Sequence, residues 1–298
     1  SHGLSRRQFI AGVSASAASA MIVPRHVLGR GRQAPSDTLN IAGMGVGGRG
    51  RADVQACRGQ NIVALCDVDP GHAAATFNEY PKAATYADYR QMLDRESDID
   101  AVIIATLDHT HAVIAMEAMR RGKHVCEKPL TRTVAEARAL ADMARTSGVA
   151  TQMGNQGHAL EGTRQIREWI EAGAIGTGRE VQYWTNRPIW SQAIDRPTDA
   201  HHMPPGLDFD LFLGPAQERP YHPAYHPFRW RGWWDYGTGA LGDIACHSMD
   251  AAFWALELDQ PTVRTGKTIE WDAAGMRATN VPEANAFLDE PYRTGWRL

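Results

Sequence analysis

A short apolar run that breaks straight into glycines constrains this chain more than any other stretch. Leu39-Asn40-Ile41-Ala42 reads as a β-strand, and Gly43-Met44-Gly45-Val46-Gly47-Gly48 follows without a gap. Gly43, Gly45 and Gly48 fit the spacing G-x-G-x-x-G. In that pattern the first glycine permits a tight turn, the second lets a pyrophosphate reach the backbone, and the third lets the next helix pack closely. The helix N-terminus, with Val46 and Gly47 leading into it, would turn unpaired amides toward the phosphates. Alone the motif is weak. Its context strengthens it, because a second strand, Asn61 to Leu65, ends at Cys66-Asp67, 19 residues beyond Gly48. An acid there accepts hydrogen bonds from the adenosine ribose hydroxyls. The same carboxylate repels a 2′-phosphate, so NAD is expected in preference to NADP.

The alternation continues with a buried-type strand from Ile99 to Ala105, a helix from Val113 to Arg121, and a strand at His124-Val125-Cys126. A helix from Thr133 to Thr146, closed by Gly148, and a strand at Ala150-Thr151-Gln152-Met153 follow. Strands alternating with helices predict an α/β, doubly wound parallel sheet with its ligand at the strands' carboxyl ends. Two segments leave those ends: Thr106 to His111, carrying His109, and Glu127-Lys128-Pro129. Both should line the nicotinamide crevice, and Asn155 and Gln156, just past the last strand, join them. The expected division is 1–36 for an N-terminal signal and arm, 37–154 for the nucleotide domain and 155–298 for a substrate domain.

Glu127-Lys128-Pro129-Leu130, preceded by Gly122-Lys123-His124-Val125, and Thr106-Leu107-Asp108-His109-Thr110-His111 resemble the Gfo/Idh/MocA oxidoreductases. That family's usual Thr-Pro is Thr106-Leu107 here, which implies a differently shaped turn. The resemblance implies that Lys128 sits near the substrate and hydrogen-bonds or helps deprotonate its hydroxyl. From the residues alone, a lysine before a proline at a sheet's carboxyl edge can serve as donor or base.

The second half carries every tryptophan, from Trp169 onward. Val181 to Asn186 alternates as a strand, and a long loop rich in Pro, His and Trp runs from Arg187 to Asp235. A loop of that length inside a compact chain is uncommon unless it is functional. Tyr183, Arg229, Trp230, Trp233 and Trp234 are the candidates to face a sugar ring, as flat aromatic faces and polar donors suit one. A tryptophan-rich core is the competing reading. The histidines here lack a helical H-x-x-x-H or a matching acid cluster, so no metal is expected. Gly242-Asp243-Ile244-Ala245-Cys246-His247 then opens a helix. Asp243 and His247, four apart, project from one face, and an acid one turn before a histidine can stabilise its imidazolium when it acts as a base. The resemblance implies that this D-x-x-x-H joins Lys128 in catalysis. The family's large antiparallel sheet is mostly missing: only Arg179–Asn186, Thr262–Thr265 and Thr268–Trp271 remain as strand candidates. A reduced α+β domain, shortened near 263–267, is therefore expected, which leaves homo-oligomerisation open.

Ser5-Arg6-Arg7-Gln8-Phe9-Ile10 before an apolar, small-residue stretch reads as a twin-arginine (Tat) export signal, with Ala18-Ser19-Ala20 as cleavage site. The mature protein is expected in the periplasm, without a stable membrane anchor. With a net charge of −3 and no long basic run, nothing argues for a nucleic-acid partner, and none is expected. Four cysteines without C-x-x-C spacing describe neither a disulfide scaffold nor a zinc site. The expected activity is hydride transfer between NAD and a secondary alcohol of a sugar, glycoside or cyclitol. Two other readings share these parts: an NAD-dependent glycosidase without net redox, and a non-catalytic NAD- or carbohydrate-binding relic.

Overall fold

The computed structural model describes residues 37–178, 180–199, 201–257, 264–265, 267–268, 271–272, 275 and 277–298. The twin arginines and the cleavage site expected after them lie outside these residues. Six parallel strands form the sheet that organises the first half: β1 (Asn40–Met44), β2 (Asn61–Cys66), β3 (Ala84–Tyr86), β4 (Ala101–Ile104), β5 (His124–Glu127) and β6 (Thr151–Met153). Their order is β3-β2-β1-β4-β5-β6, so the order reverses between β1 and β4. In such sheets the crevice at that reversal, beyond the carboxyl ends, is where ligands bind. Register aligns those ends: Met44 pairs with Cys66 and Ile104, Ile104 with Glu127, and Glu127 with Met153.

The helices between strands are built from local signals. In α1 (Gly48–Ala56) a glycine-rich start leaves the first amides exposed to the crevice. The helix α2 (Pro70–Glu79) is opened by Asp69, whose carboxylate accepts from the Gly71 and His72 amides, with proline at the first position. Next come α3 (Tyr89–Arg95) and α4 (Asp108–Arg120); α4 begins five residues earlier than its apolar pattern suggests. In α5 (Val134–Ser147) Thr133 and Glu136 exchange hydrogen bonds in a capping box, and Gly148 closes it with φ +70°. Both faces of the sheet are buried, by Ala42, Met44, Ile104, Ile114 and Met119 among others on one side and by Val46, Val54 and Leu65 on the other. That is why the strands read as continuous apolar runs rather than alternating ones.

The second half is mostly loops and short helices: α6 (Glu161–Glu171), α7 (Phe209–Leu213), α8 (Gly239–Ser248) and α9 (Asp250–Ala255). It has its own aromatic core, in which Tyr225, Trp230, Trp233 and Tyr236 pack with Phe209 and Phe212. Several of these rings meet edge to face. The strand expected at Arg179–Asn186 is a correction: residues 180–186 form no ladder, since no strand among the described residues offers them partners. The other candidates survive only in part. Arg264–Thr265 (β7) pairs with Lys267–Thr268 (β8), and Trp271–Asp272 (β9) with Arg277–Ala278 (β10), in two-stranded ladders. Thr262, Val263, Ile269 and Glu270 lie outside the described residues. No helix among the described residues is long and apolar enough to cross a membrane.

Candidate active site

A cavity of about 270 Å³ runs along the carboxyl ends of β1 to β4. Gly45, Gly47, Gly48 and Asp67 line it, as the glycine pattern predicts. The frame, however, is shifted by two residues. Gly43 lies inside β1, paired with Leu65 and Ile103, and Val46 is fully buried in the core, able to offer only backbone. The turn starts at Gly45, which has φ +74° and whose missing Cβ would stand 2.7 Å from the Ala105 backbone. Close packing belongs to Gly50, where a Cβ would stand 1.9 Å from the Gly45 carbonyl oxygen. The working frame is therefore Gly45-x-Gly47-x-x-Gly50. The letters fit both frames equally well, and only contact with the strand distinguishes them.

Asp67 sits at the wall of the same cavity. Its carboxylate accepts from the Gly47 amide at 3.0 Å and the Asp69 amide at 2.9 Å. Burial raises its pKa, and those two amides oppose the rise. One strand end beyond the cavity is Glu127, only 3% exposed. Its Oε2 has no hydrogen-bond partner among the described residues, and burial pushes its pKa up to about 8. A backbone cradle, a ribose-type acid and an unpartnered carboxyl along one row of strand ends suit a dinucleotide with two ribose diols.

The reacting side is built where β5 meets α8. Lys128 follows β5, and its Nζ donates to Asp243 Oδ1 at 2.5 Å; the two side chains are 21% and 17% exposed. Asp243 thus holds the lysine, whereas the sequence reading gave it to His247, one turn on. No hydrogen bond from a described residue reaches the His247 ring. Its pKa is lowered, first by burial and then by the Lys128 ammonium, with Asp243 pulling the other way. The result is an unprotonated imidazole near neutrality, the state a general base requires.

Three further contacts fasten α8 and α9 to the nucleotide half. Asp108, at the end of the β4 loop, accepts from the Thr238 amide at 2.9 Å and from its hydroxyl at 2.6 Å. Asn155, past β6, donates to Asp250 Oδ1 at 3.0 Å, and His158 Nδ1 meets the same carboxylate at 2.9 Å. The role of Asp108 escaped sequence reasoning, although it stands immediately before the two histidines of its motif. The only available signal was an acid at a helix start that faces a threonine 130 residues away.

Several expected site residues lie elsewhere. His109 is wholly buried between the carbonyls of Leu213, at 2.9 Å, and Tyr236, at 3.2 Å, and burial drives its pKa down to about 3. It joins the two halves and does not line the cavity. His111 is also fully buried; its Nδ1 donates to the Pro129 carbonyl at 2.6 Å and so braces the turn that carries Lys128. Thr106 does line the cavity, while Gln156 is exposed in a 3₁₀ turn, Gln156–Ala159. Among the aromatic candidates only Trp230 lines it. Trp233 is core, its Nε1 donating to the Ala224 carbonyl at 2.8 Å, and exposed Trp234 reaches Glu290 and the Arg132 guanidinium. Arg229 is exposed, and Tyr183 donates to the Met249 carbonyl at 3.3 Å, beneath α8. Trp230 and Trp233 belong to the aromatic core that the described residues of the second half build without a broad sheet.

On the long loop, Asp199, His201 and His222 bring ligand-type atoms within 4.8 Å of one another, a grouping their spacing does not announce. They are already engaged. His201 Nε2 and His222 Nε2 lie 2.7 and 3.3 Å from the Asp199 carboxylate. His222 Nδ1 accepts from the Ala224 amide at 3.0 Å, which leaves that ring no free lone pair for a cation.

Residues 39–155 match an oxidoreductase family's NAD-binding Rossmann fold, and residues 182–263 match the C-terminal alpha/beta domain of the same family. The levoglucosan dehydrogenase of Pseudarthrobacter phenanthrenivorans is 28% identical over 194 residues, 63% of this chain and 40% of that protein. The inositol 2-dehydrogenase of Salmonella typhimurium is 32% identical over 121 residues, 40% of this chain and 36% of the relative. The chain therefore spans about two fifths of the length of these curated relatives. A crystal structure of an oxidoreductase domain protein from Kribbella flavida superposes with a TM-score of 0.51 at 27% identity, over 74% of this chain and 54% of that one.

Proposed function

The chain belongs to the Gfo/Idh/MocA oxidoreductase family, and from that premise we propose that it oxidises, reversibly, a secondary alcohol on a sugar, anhydro-sugar or cyclitol with NAD. The observation that carries the reading is the 2.5 Å contact between Lys128 and Asp243, which joins the strand-end lysine to the helix bearing His247. The cofactor would lie along Gly45, Gly47, Asp67 and Glu127, and it supplies the hydride acceptor. Every proton step falls to the chain. Unprotonated His247 takes the hydroxyl proton, while the Lys128 ammonium, fixed by Asp243, donates a hydrogen bond to the oxygen as negative charge grows there. Asp108 and Asn155 act through α8 and α9, holding that helix pair against the strand ends. Names of relatives that act on levoglucosan and inositol support the substrate class. The Arg6-Arg7 signal supports export by the Tat route to the periplasm, where the cofactor would have to be carried rather than collected.

The test is absorbance of purified protein mixed with NAD and, in turn, myo-inositol, levoglucosan and nitrophenyl glycosides. Reduced cofactor accumulating with one of the polyols is the expected result. Nitrophenol released without reduced cofactor would instead establish the glycosidase reading. No change with any of them would leave a binding protein.

A further inference from the structure

The mechanism above uses nothing from the last eight residues, yet they are tied down at many points. Tyr292 donates from its hydroxyl to Glu136 at 2.5 Å, and the Arg293 amide donates to the Pro215 carbonyl at 3.0 Å. The Arg293 guanidinium grips Asp210 through its carboxylate, at 2.7 Å, and its carbonyl, at 2.9 Å. Arg120 of α4 holds the Leu298 carbonyl oxygen at 3.2 Å. The tail is therefore a strap from the second half onto the nucleotide half. It delivers one large side chain to the cofactor cavity: Trp296, half-buried and part of its lining.

Its position along the cavity says what it can meet. Asp67 marks where the adenosine ribose belongs. On the side of β3 the lining is Ala87 and Tyr89, just past that strand, with Trp296 beside them over Arg90, and apolar Ile114 and Leu211 also line the cavity. The Arg90 guanidinium sits 4.9 Å from the Trp296 ring centroid, and it is itself clamped by two contacts to Asp88, at 3.0 and 2.8 Å. An indole held by a fixed cation on a strapped tail is a preorganised stacking surface. We infer that Trp296 is the adenine platform of the nucleotide site, supplied by the C-terminal tail instead of by the Rossmann half itself. This rests on the NAD-binding reading above.

Stacking of a base on an aromatic ring is a large effect, on the order of a 5- to 100-fold change in affinity. Calorimetry with NAD and with ADP-ribose on the full chain should show that loss in Trp296→Leu, which keeps an apolar side chain but no ring. Trp296→Phe should stay within about fivefold of wild type. Titration with ADP-ribose should also quench part of the wild-type tryptophan emission, and that part should vanish in Trp296→Phe, so the inference stays testable if the leucine variant does not fold. Unchanged ADP-ribose affinity in Trp296→Leu, or full quenching in Trp296→Phe, would overturn the platform and leave the oxidoreductase reading standing. A wild-type chain that binds neither NAD nor ADP-ribose overturns both.

Discussion

Removing either partner of the Lys128–Asp243 pair should move the titration of His247, and the two removals should move it in opposite directions. The ring is depressed by burial first, then by the lysine's positive charge, and is lifted by the aspartate's negative one. Lys128→Met therefore makes protonation easier, so the neutral base appears only at higher pH. Asp243→Asn makes it harder, and the base appears at lower pH. Asp243 and His247 stand one helical turn apart, roughly 5–6 Å between Cβ atoms. A unit charge at ~6 Å is worth about 0.7 kcal/mol in bulk water and about 3 at the dielectric typical of a protein surface. Because the ring is only partly buried, about 1 kcal/mol is the working figure, a change of roughly fivefold in neutral fraction on the limb. The assay is NMR titration of labelled histidine ring protons, assigned by loss of one signal in His247→Ala, so it needs no turnover. Circular dichroism confirms that each variant folds. In wild type, rate against pH should rise through the same midpoint and lose that limb in His247→Ala, with turnover down about 10²–10⁴-fold. A shift of both pair variants in the same direction, or of neither, would refute the electrostatic assignment.

Two other outcomes follow from buried groups near the cofactor. A neutral Glu127, with its folded pKa raised to about 8 from a reference of 4.5, contributes fully below the reference and progressively loses stability as pH climbs toward 8. Glu127→Gln should therefore flatten the fall of melting temperature between about pH 5 and 8, and parallel curves for the two proteins would contradict the burial argument. Gly50→Ala must push a methyl into the Gly45 carbonyl; overpacking of this kind costs about 1–3 kcal/mol and displaces the phosphate turn. Chemical denaturation and NAD calorimetry should both register it, whereas Gly48→Ala, whose Cβ would meet only the His72 ring at 3.4 Å, should be felt through its φ of +50° alone.

The nucleotide half was legible because its signals are local. Strand, glycine turn, strand and Asp67 occupy fewer than thirty residues, and Thr133, Glu136 and Gly148 bracket α5 by side-chain chemistry written into neighbouring positions. What was not legible depended on partners far along the chain. The three-residue β3 is a strand because Ala84, Thr85 and Tyr86 pair with Ala64, Leu65 and Cys66, not because its own letters insist on it. His109 and Trp233 carry the same letters as site residues. Only the carbonyls of Leu213, Tyr236 and Ala224 reveal that they are structural. Asp243 and His247 were correctly placed on one helical face, but periodicity could not say that the aspartate would turn to Lys128.

The fastenings at the ends of β4, β5 and β6 have a mechanical meaning. Asp108, Lys128 and Asn155 leave three successive strand ends and grip Thr238, Asp243 and Asp250 on the helix pair. Grips at three successive strand ends oppose tilting of the helix pair against the sheet more than any one of them would alone. Hinge closure between two lobes, a common way for clefts to admit and trap their ligands, would have to break these three contacts together. Leu211, Phe212, His226, Phe228, Trp230 and Arg231 form one wall of the cavity, so ligand traffic is expected to depend on how that wall yields more than on how the halves of the molecule tilt.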